Sequence, residues 1–320
     1  VKVHLLVIDP QNDFCIGSEK IRIPESSLGV NHRLGVVANG CVEVETGNRG
    51  ALVVPGAEAD MNRLAALIDR VGGKLDDITV TLDSHQRNGI ERPSMYKRVS
   101  DGAAPGPFTI LGIHSDRRRV VRFEANAQGL TQTDEEYTTI LPGMMHRGGA
   151  TGKGFFGYLE ALEARKRYPH VIWPVHCCVG SWGWGVVPNL DAALGRWELN
   201  ERARINYVPK GNNPDTEHFS AVGAEVPDPR DPSTQLNTRL IQSLEEADIV
   251  ALAGEARSHC EANTGRDIVS AFSNSSYAQK MVILTDASSD VPGFESFGES
   301  FVKDMVALGA KTSTCADFLA

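Results

Sequence analysis

No apolar run in this chain is long enough to cross a bilayer as a helix, so a helical membrane protein is not expected. Cysteine is scarce. Six in 320 residues, with Cys177 and Cys178 adjacent and no CxxC pair, cannot build a disulfide framework. A reducing cytoplasm is the simpler expectation. An excess of basic charge is missing as well: 32 Lys and Arg against 41 Asp and Glu leave a formal charge of −9. Nucleic acid and anionic membrane surfaces are therefore poor partners. Residues 1–9 lack a basic leader and a small-residue cleavage site, and read as a strand rather than a signal peptide. There is no heptad run or internal repeat.

What remains is ordinary globular composition, 41% hydrophobic and 23% charged, in a length that suits one large α/β domain or two smaller ones. Short β-rich runs at 3–8, 78–82, 170–173, 203–208, 249–253 and 281–284 end in polar or small residues. Between them, apolar residues recur at three- and four-residue spacing. Met61, Leu64, Leu67, Ile68 and Val71 do so within 59–71, and similar patterns run through 236–247 and 264–272. Alternating strands and helices predict an α/β fold, a parallel β-sheet flanked by helices on both faces, with the site at the carboxyl ends of its strands. Two segments, 17–50 and 89–167, are rich in Gly, Pro and charge and weak in periodicity. Neither shows a continuous apolar face, so both are read as insertions on one domain spanning 1–320, the second containing a short strand near 118–123.

Four places could carry chemistry. Asp9 ends an apolar run and precedes Pro10, which a central strand does not tolerate. Alone it is an ordinary Asx-turn residue, but Gln11, Asn12 and Asp13 make an unusually dense polar set behind it. Asp83 and His85 follow the strand 78–82, and side chains two apart on an extended chain point the same way, so both can reach one ion. Two ligands are too few. His176, just past the run 170–173, is the best third. Lys210 follows another strand and precedes Gly211, which permits a tight turn, although a lysine there is more often a solvated surface group. Cys260 lies in Gly254-Glu255-Ala256-Arg257-Ser258-His259-Cys260, a small-residue loop between a buried strand and a helix. At a helix N-terminus the dipole favours thiolate over thiol, and free N–H groups can hold an oxyanion. The commoner role of a lone cysteine is core filler. His259 sits immediately beside it, a position that aims its ring elsewhere, and is not assigned as a base.

These blocks occur in a telling order: Val7-Ile8-Asp9-Pro10-Gln11-Asn12-Asp13-Phe14, Asp83-Ser84-His85, Trp173-Pro174-Val175-His176-Cys177, Lys210-Gly211 with Glu217-His218-Phe219-Ser220-Ala221, then the Cys260 loop. Together the set resembles the nicotinamidase branch of the isochorismatase-like cysteine hydrolases. The resemblance implies that family's three-layer fold and a Cys-Asp-Lys triad. Cys260 is then the nucleophile, Asp9 the general base and proton shuttle, and Lys210 the cation. It also implies a cis peptide between Glu255 and Ala256, with the N–H groups of Ala256 and Cys260 as oxyanion hole. Asp83, His85 and His176 match the family's ligands for a divalent metal, zinc (Zn2+) first and iron (Fe2+) or manganese (Mn2+) as alternatives, with waters completing the shell. That ion is expected to hold a pyridine nitrogen. Phe14, Trp173 and Phe219 match substrate-binding aromatic walls. The departures are a longer chain, no extra histidine within 86–89, and a polar Glu255 and Arg257 in the nucleophile loop.

The expected activity is hydrolysis of nicotinamide to nicotinate and ammonia, feeding NAD salvage. Another superfamily amidohydrolase, acting on a carbamoyl, ureido or maleamate-like compound, is the alternative; its substrate's carboxylate would want an arginine clamp. A non-catalytic metal-binding scaffold ranks third. The expected partner is a small-molecule amide, and the resemblance implies a homo-oligomer, at least a dimer.

Overall fold

The computed structural model describes residues 1–18, 20–24, 36–37, 41–45, 48–126, 129–272 and 275–320. In chain order its strands are β1 (Val3–Ile8), β2 (Lys20–Pro24), β3 (Val36–Val37), β4 (Cys41–Glu45), β5 (Asp77–Asp83), β6 (Tyr96–Arg98) and β7 (Ile110–Ile113). Then come β8 (Val120–Asn126), β9 (Gly129–Thr139), β10 (His170–Val171), β11 (Asn206–Lys210), β12 (Ile249–Gly254), β13 (Met281–Leu284) and β14 (Lys311–Ser313). The helices are α1 (Asn12–Cys15), α2 (Ala57–Val71), α3 (Gly154–Arg165), α4 (Pro188–Glu201), α5 (Thr238–Glu245), α6 (Ala262–Ala271) and α7 (Glu295–Ala307).

A six-stranded sheet in the order β11-β5-β1-β12-β13-β14, parallel at every pairing, forms the centre. All six residues of β1 are buried. Alternate side chains of a strand point to opposite faces, so a strand buried throughout is covered on both. The covering helices pack in pairs, α2 with α4 and α6 with α7. Helix α2 buries the stripe Met61, Leu64, Leu67, Ile68 and Val71 and leaves Arg63, Asp69 and Arg70 exposed. No helix among the described residues is long and apolar enough to cross a membrane.

Two expectations fail. The run 170–173 does not join the parallel sheet: β10 is two residues long and pairs antiparallel with β7, His170 opposite Leu111. It belongs to a five-stranded sheet, β10-β7-β8-β9-β6, raised largely by the 89–167 segment. That segment also owns an apolar face. Tyr96, Leu111, Ile113 and Val120 from its strands pack with Phe155, Tyr158, Leu159 and Leu162 of α3 in a second hydrophobic cluster. Its members come from short strands and loops as ones and twos, so no single stretch of sequence shows the face that pairing assembles. In the 17–50 segment, β2, β4 and β3 form a small antiparallel sheet; residues 19, 25–35, 38–40 and 46–47 lie outside the described residues.

Register decides where the site falls. Ile8 lies opposite Gly254, and Lys210 opposite Asp83, so β1, β5, β11 and β12 deliver their last residues to one edge of the sheet. Gly254 makes the close approach possible: its φ is +117°, and an added Cβ would run into the carbonyl of Ile8. We expect Gly254→Ala to cost about 2–4 kcal/mol of stability, read as a lower Tm in thermal unfolding. An unchanged Tm would mean that the two strand ends have room to part.

Candidate active site

Asp9 leaves β1 in a left-handed conformation, φ +43°, that few non-glycine residues adopt. Thr81 on the neighbouring strand holds it there. The Asp9 N–H donates to Thr81 Oγ1 at 3.0 Å, and the Thr81 hydroxyl donates to Asp9 Oδ1 at 2.6 Å. Gln11 then ties the two strand ends together, its amide donating to the Asp83 carbonyl at 2.8 Å and accepting from the Asp83 N–H at 2.7 Å. Across this turn lies the Lys210 ammonium. Its Nζ is 2.8 Å from Asp9 Oδ2 and 3.2 Å from Asp83 Oδ1, and it donates to the His218 carbonyl at 3.1 Å. Cys260 Sγ is its fourth neighbour, at 3.5 Å. All four side chains are buried.

Burial works against the Lys210 charge, yet Asp83 and Asp9 outweigh it and hold the ammonium well above the usual lysine range. Burial raises the Asp9 carboxyl, with Lys210 and Thr81 pulling the other way. The same desolvation pushes the Cys260 thiol well above its ordinary value; Lys210 lowers it, but Asp9 and Asp83 add to the rise. Cys260 is the fourth residue of a π-helical turn, Arg257–Glu261, that runs on into α6. Desolvation thus works against the thiolate that a helix N-terminus favours, and the sulfur rests as a thiol that needs a base.

Asp83, His85 and His176 bring one ligand atom each to within 4.8 Å of one another. His85 and Asp83 come from the end of β5 as the spacing predicts. His176 arrives differently, from the loop after β10, whose backbone lies alongside residue 85: the His85 N–H donates to the Cys177 carbonyl at 3.0 Å, and the Val179 N–H to the His85 carbonyl at 3.1 Å. The donor set fits a divalent ion. His85 Nε2 and His176 Nε2 lie 2.9 and 3.3 Å from Asp83 Oδ2. His85 Nδ1 faces Glu91 Oε1 at 3.3 Å, an acceptor that leaves the His85 Nε2 lone pair free to bind. His176 Nδ1 lies between the Pro174 carbonyl at 2.8 Å and the Arg92 Nη1 donor at 3.0 Å. Arg92, completely buried, packs against this support through the Pro174 carbonyl at 2.7 Å, the His176 carbonyl at 3.1 Å and Glu91 at 2.8 Å.

Phe14, Trp173 and Phe219 meet His176, Ala256 and Cys260 around a cavity of about 30 Å³. Phe14 lies 5.4 Å from the His176 ring, and Trp173 stands edge-on to Phe219 at 6.4 Å. Of the residues singled out in the sequence, Phe14, Asp83, Trp173, His176, Phe219, Ala256 and Cys260 line this cavity, while Lys210, Asp9 and His85 lie behind it in contact with Asp83, Cys260 or one another; the Glu255–Ala256 peptide is cis. The Ala256 N–H has no hydrogen-bond partner among the described residues. His259 faces the cavity too, but burial holds it neutral, its pKa pushed down to about 3, and its Nε2 is unpartnered. Sequence reasoning missed Thr81, Glu91, Arg92 and Glu217. Glu91-Arg92 sits inside a charged segment and looks like solvated surface; nothing local reveals that both are buried. Glu217, raised to about 7 by burial and by Glu91, lines the cavity and lay unremarked within a quoted block.

No protein-family model matches the chain, and no curated protein matches it. Solved structures do. The yeast nicotinamidase bound to the inhibitor nicotinaldehyde is similar with a TM-score of 0.54 at 15% identity, over 98% of this chain and 99% of that one. A nicotinamidase pyrazinamidase of Acinetobacter baumanii is similar with a TM-score of 0.52 at 17% identity, over 99% and 98%. This chain has the nicotinamidase fold. The likeness drawn from its motifs holds at that level.

Two measurements test the site's physics. Glu91→Gln weakens the acceptor behind His85 and is expected to lower zinc affinity about 10–100-fold, measured by competition with a chromophoric chelator; unchanged affinity would remove Glu91 from the metal's support. Glu261, next to Cys260, is buried, and that burial pushes its pKa up from 4.5 to about 8 against the pull of Ser288 and Arg257. Between those values the fold keeps a proton that the unfolded chain has released, so this group's contribution to stability falls as pH rises. Glu261→Gln should therefore gain Tm relative to the wild type progressively from pH 4.5 to about 8. A difference in Tm that does not change with pH would contradict the assignment.

Proposed function

We propose that this protein is a hydrolase of the isochorismatase-like type, a metal-dependent cysteine amidohydrolase that converts nicotinamide and water to nicotinate and ammonia. The observation that carries the reading is one buried ammonium touching a carboxylate at 2.8 Å and a thiol sulfur at 3.5 Å, beside a ready-made ligand trio. The fold's neighbours with that activity support it.

Asp9 takes the thiol proton as Cys260 Sγ bonds to the carboxamide carbon. The oxyanion so formed is received by the N–H groups of Ala256 and Cys260. Asp9 returns the proton to the leaving nitrogen, ammonia departs, and the acyl group remains on Cys260 as a thioester. A water then gives its proton to Asp9 and its oxygen to the acyl carbon; the sulfur leaves and recovers the proton. Lys210 stays charged throughout, offsetting whichever of sulfur or Asp9 is negative. Asp83, His85 and His176 would hold a divalent ion, zinc before iron or manganese, which would supply a Lewis acid for the pyridine nitrogen. Phe14, Trp173 and Phe219 flank the ring and keep bulk water out. The indole N–H of Trp173, buried and unpartnered, is available to a substrate acceptor. No arginine lines this inner cavity among the described residues, which disfavours a carbamoyl or maleamate-like acid held wholly within it.

Ammonia release from nicotinamide, assayed with zinc, iron and manganese in turn, tests the substrate. We expect turnover that a chelator abolishes and that Cys260→Ala lowers by about 10⁴-fold or more. No ammonia with any of the three metals would refute the substrate, and full turnover by Cys260→Ala would refute the mechanism.

A further inference from the structure

The inner cavity is tight: at about 30 Å³ it leaves little room for anything beyond the reacting amide and its ring. Leu52 and Val291 line it and also line a second, open cavity of about 640 Å³, so the two spaces lie on either side of the same two side chains. The outer walls are apolar, with Phe108, Pro174 and Pro292 beyond these two, and among the described residues the one charged side chain that lines them is Arg49, which is exposed.

Both walls are built features. Residues 50–54 are pinned to the turn that carries Phe14: the Gly50 N–H donates to the Ile16 carbonyl at 2.8 Å, Leu52 to the Asp13 carbonyl at 3.1 Å, and Val54 to the Phe14 carbonyl at 2.9 Å. A Cβ on Gly50 would strike the Asp13 carbonyl, so this closeness requires glycine. The opposite wall comes from the 89–167 segment. Phe108 has a positive φ, +66°, and half its surface exposed, and its ring meets Trp173 edge-on at 5.9 Å. Its exposed half faces the outer cavity beside Trp173.

We propose that the outer chamber is a substrate subsite, and that the preferred substrate is an amide carrying an apolar arm that ends in a carboxylate. The amide reacts at Cys260, the arm passes Leu52 and Val291 and lies on Phe108, and the carboxylate meets Arg49 at the rim. This rests on the amide-hydrolase reading and gives the inserted segment a role in substrate choice.

Calorimetric binding to zinc-loaded Cys260→Ala, compared with turnover by the wild type, tests it. The probes are nicotinamide, nicotinamide with a propyl arm and nicotinamide with a carboxypropyl arm, each arm placed in turn on ring carbon 5 and on the amide nitrogen. On one of the two vectors we expect the charged arm to bind at least tenfold tighter than nicotinamide. Adding Arg49→Ala should bring the charged arm down to the level of the neutral one, and Phe108→Ala should weaken both arms. If neither vector improves binding, or both substitutions leave the preference intact, the subsite is overturned while hydrolysis of nicotinamide stands. If the arms bind as expected but the wild type forms no nicotinate or ring-substituted nicotinate from any probe, the subsite stands and the hydrolase reading falls.

Discussion

The site is organised around one buried cation. Lys210 comes off β11 opposite Asp83, reaches across β5 and places its ammonium between Asp83 and Asp9, away from water. Burying a charge without a partner costs several kcal/mol, and here three charged groups satisfy one another. Either carboxylate alone in that space would take up a proton. With the ammonium present, Asp9 can hold negative charge as a base, and Asp83 can face the two imidazoles. The proton-transfer half of the site and the ligand half are thus coupled through a single side chain.

That coupling depends on the sheet. Parallel strands put their carboxyl ends on one edge, and register sets which ends are neighbours. Residues 9, 83, 210 and 255–260 are far apart in the chain yet leave adjacent strands within a few ångströms. Gly254 lets β1 and β12 close up, and the Gln11 clamp keeps the first turn level with Asp83. Thr81, an unremarkable residue in mid-strand, fixes the orientation of the Asp9 carboxylate. The loop bearing His176 completes the arrangement from outside the sheet, held alongside His85 by main-chain hydrogen bonds.

Much of this could be read from the chain. The central strands β1, β5 and β12 and the helix α2 announce themselves because each is long enough for its own period to show. Asp9, Asp83, His85 and Cys260 announce themselves because each ends or follows such a strand, whereas His176 follows the two-residue β10. What stayed hidden has a common cause. The five-stranded sheet, the partner of β10 and the burial of Glu91 and Arg92 all depend on contacts between short pieces, and no local pattern records them. Helices α4 and α7 and the edge strand β14 were likewise unforeseen. The surroundings of Cys260 were half legible for a related reason: a helix end is visible in sequence, whereas the carboxylates that fold against the sulfur are not.

The central claim is that Lys210 keeps Asp9 ionised and so able to take the proton of a resting Cys260 thiol. The pH dependence of Cys260 alkylation by iodoacetamide, in the wild type and in Lys210→Met, tests it most directly. The account predicts reaction at neutral pH in the wild type. In the variant it predicts a rate lower by about 100-fold, recovering only at more alkaline pH while the circular dichroism stays native. Identical rates and profiles in the two proteins would contradict it.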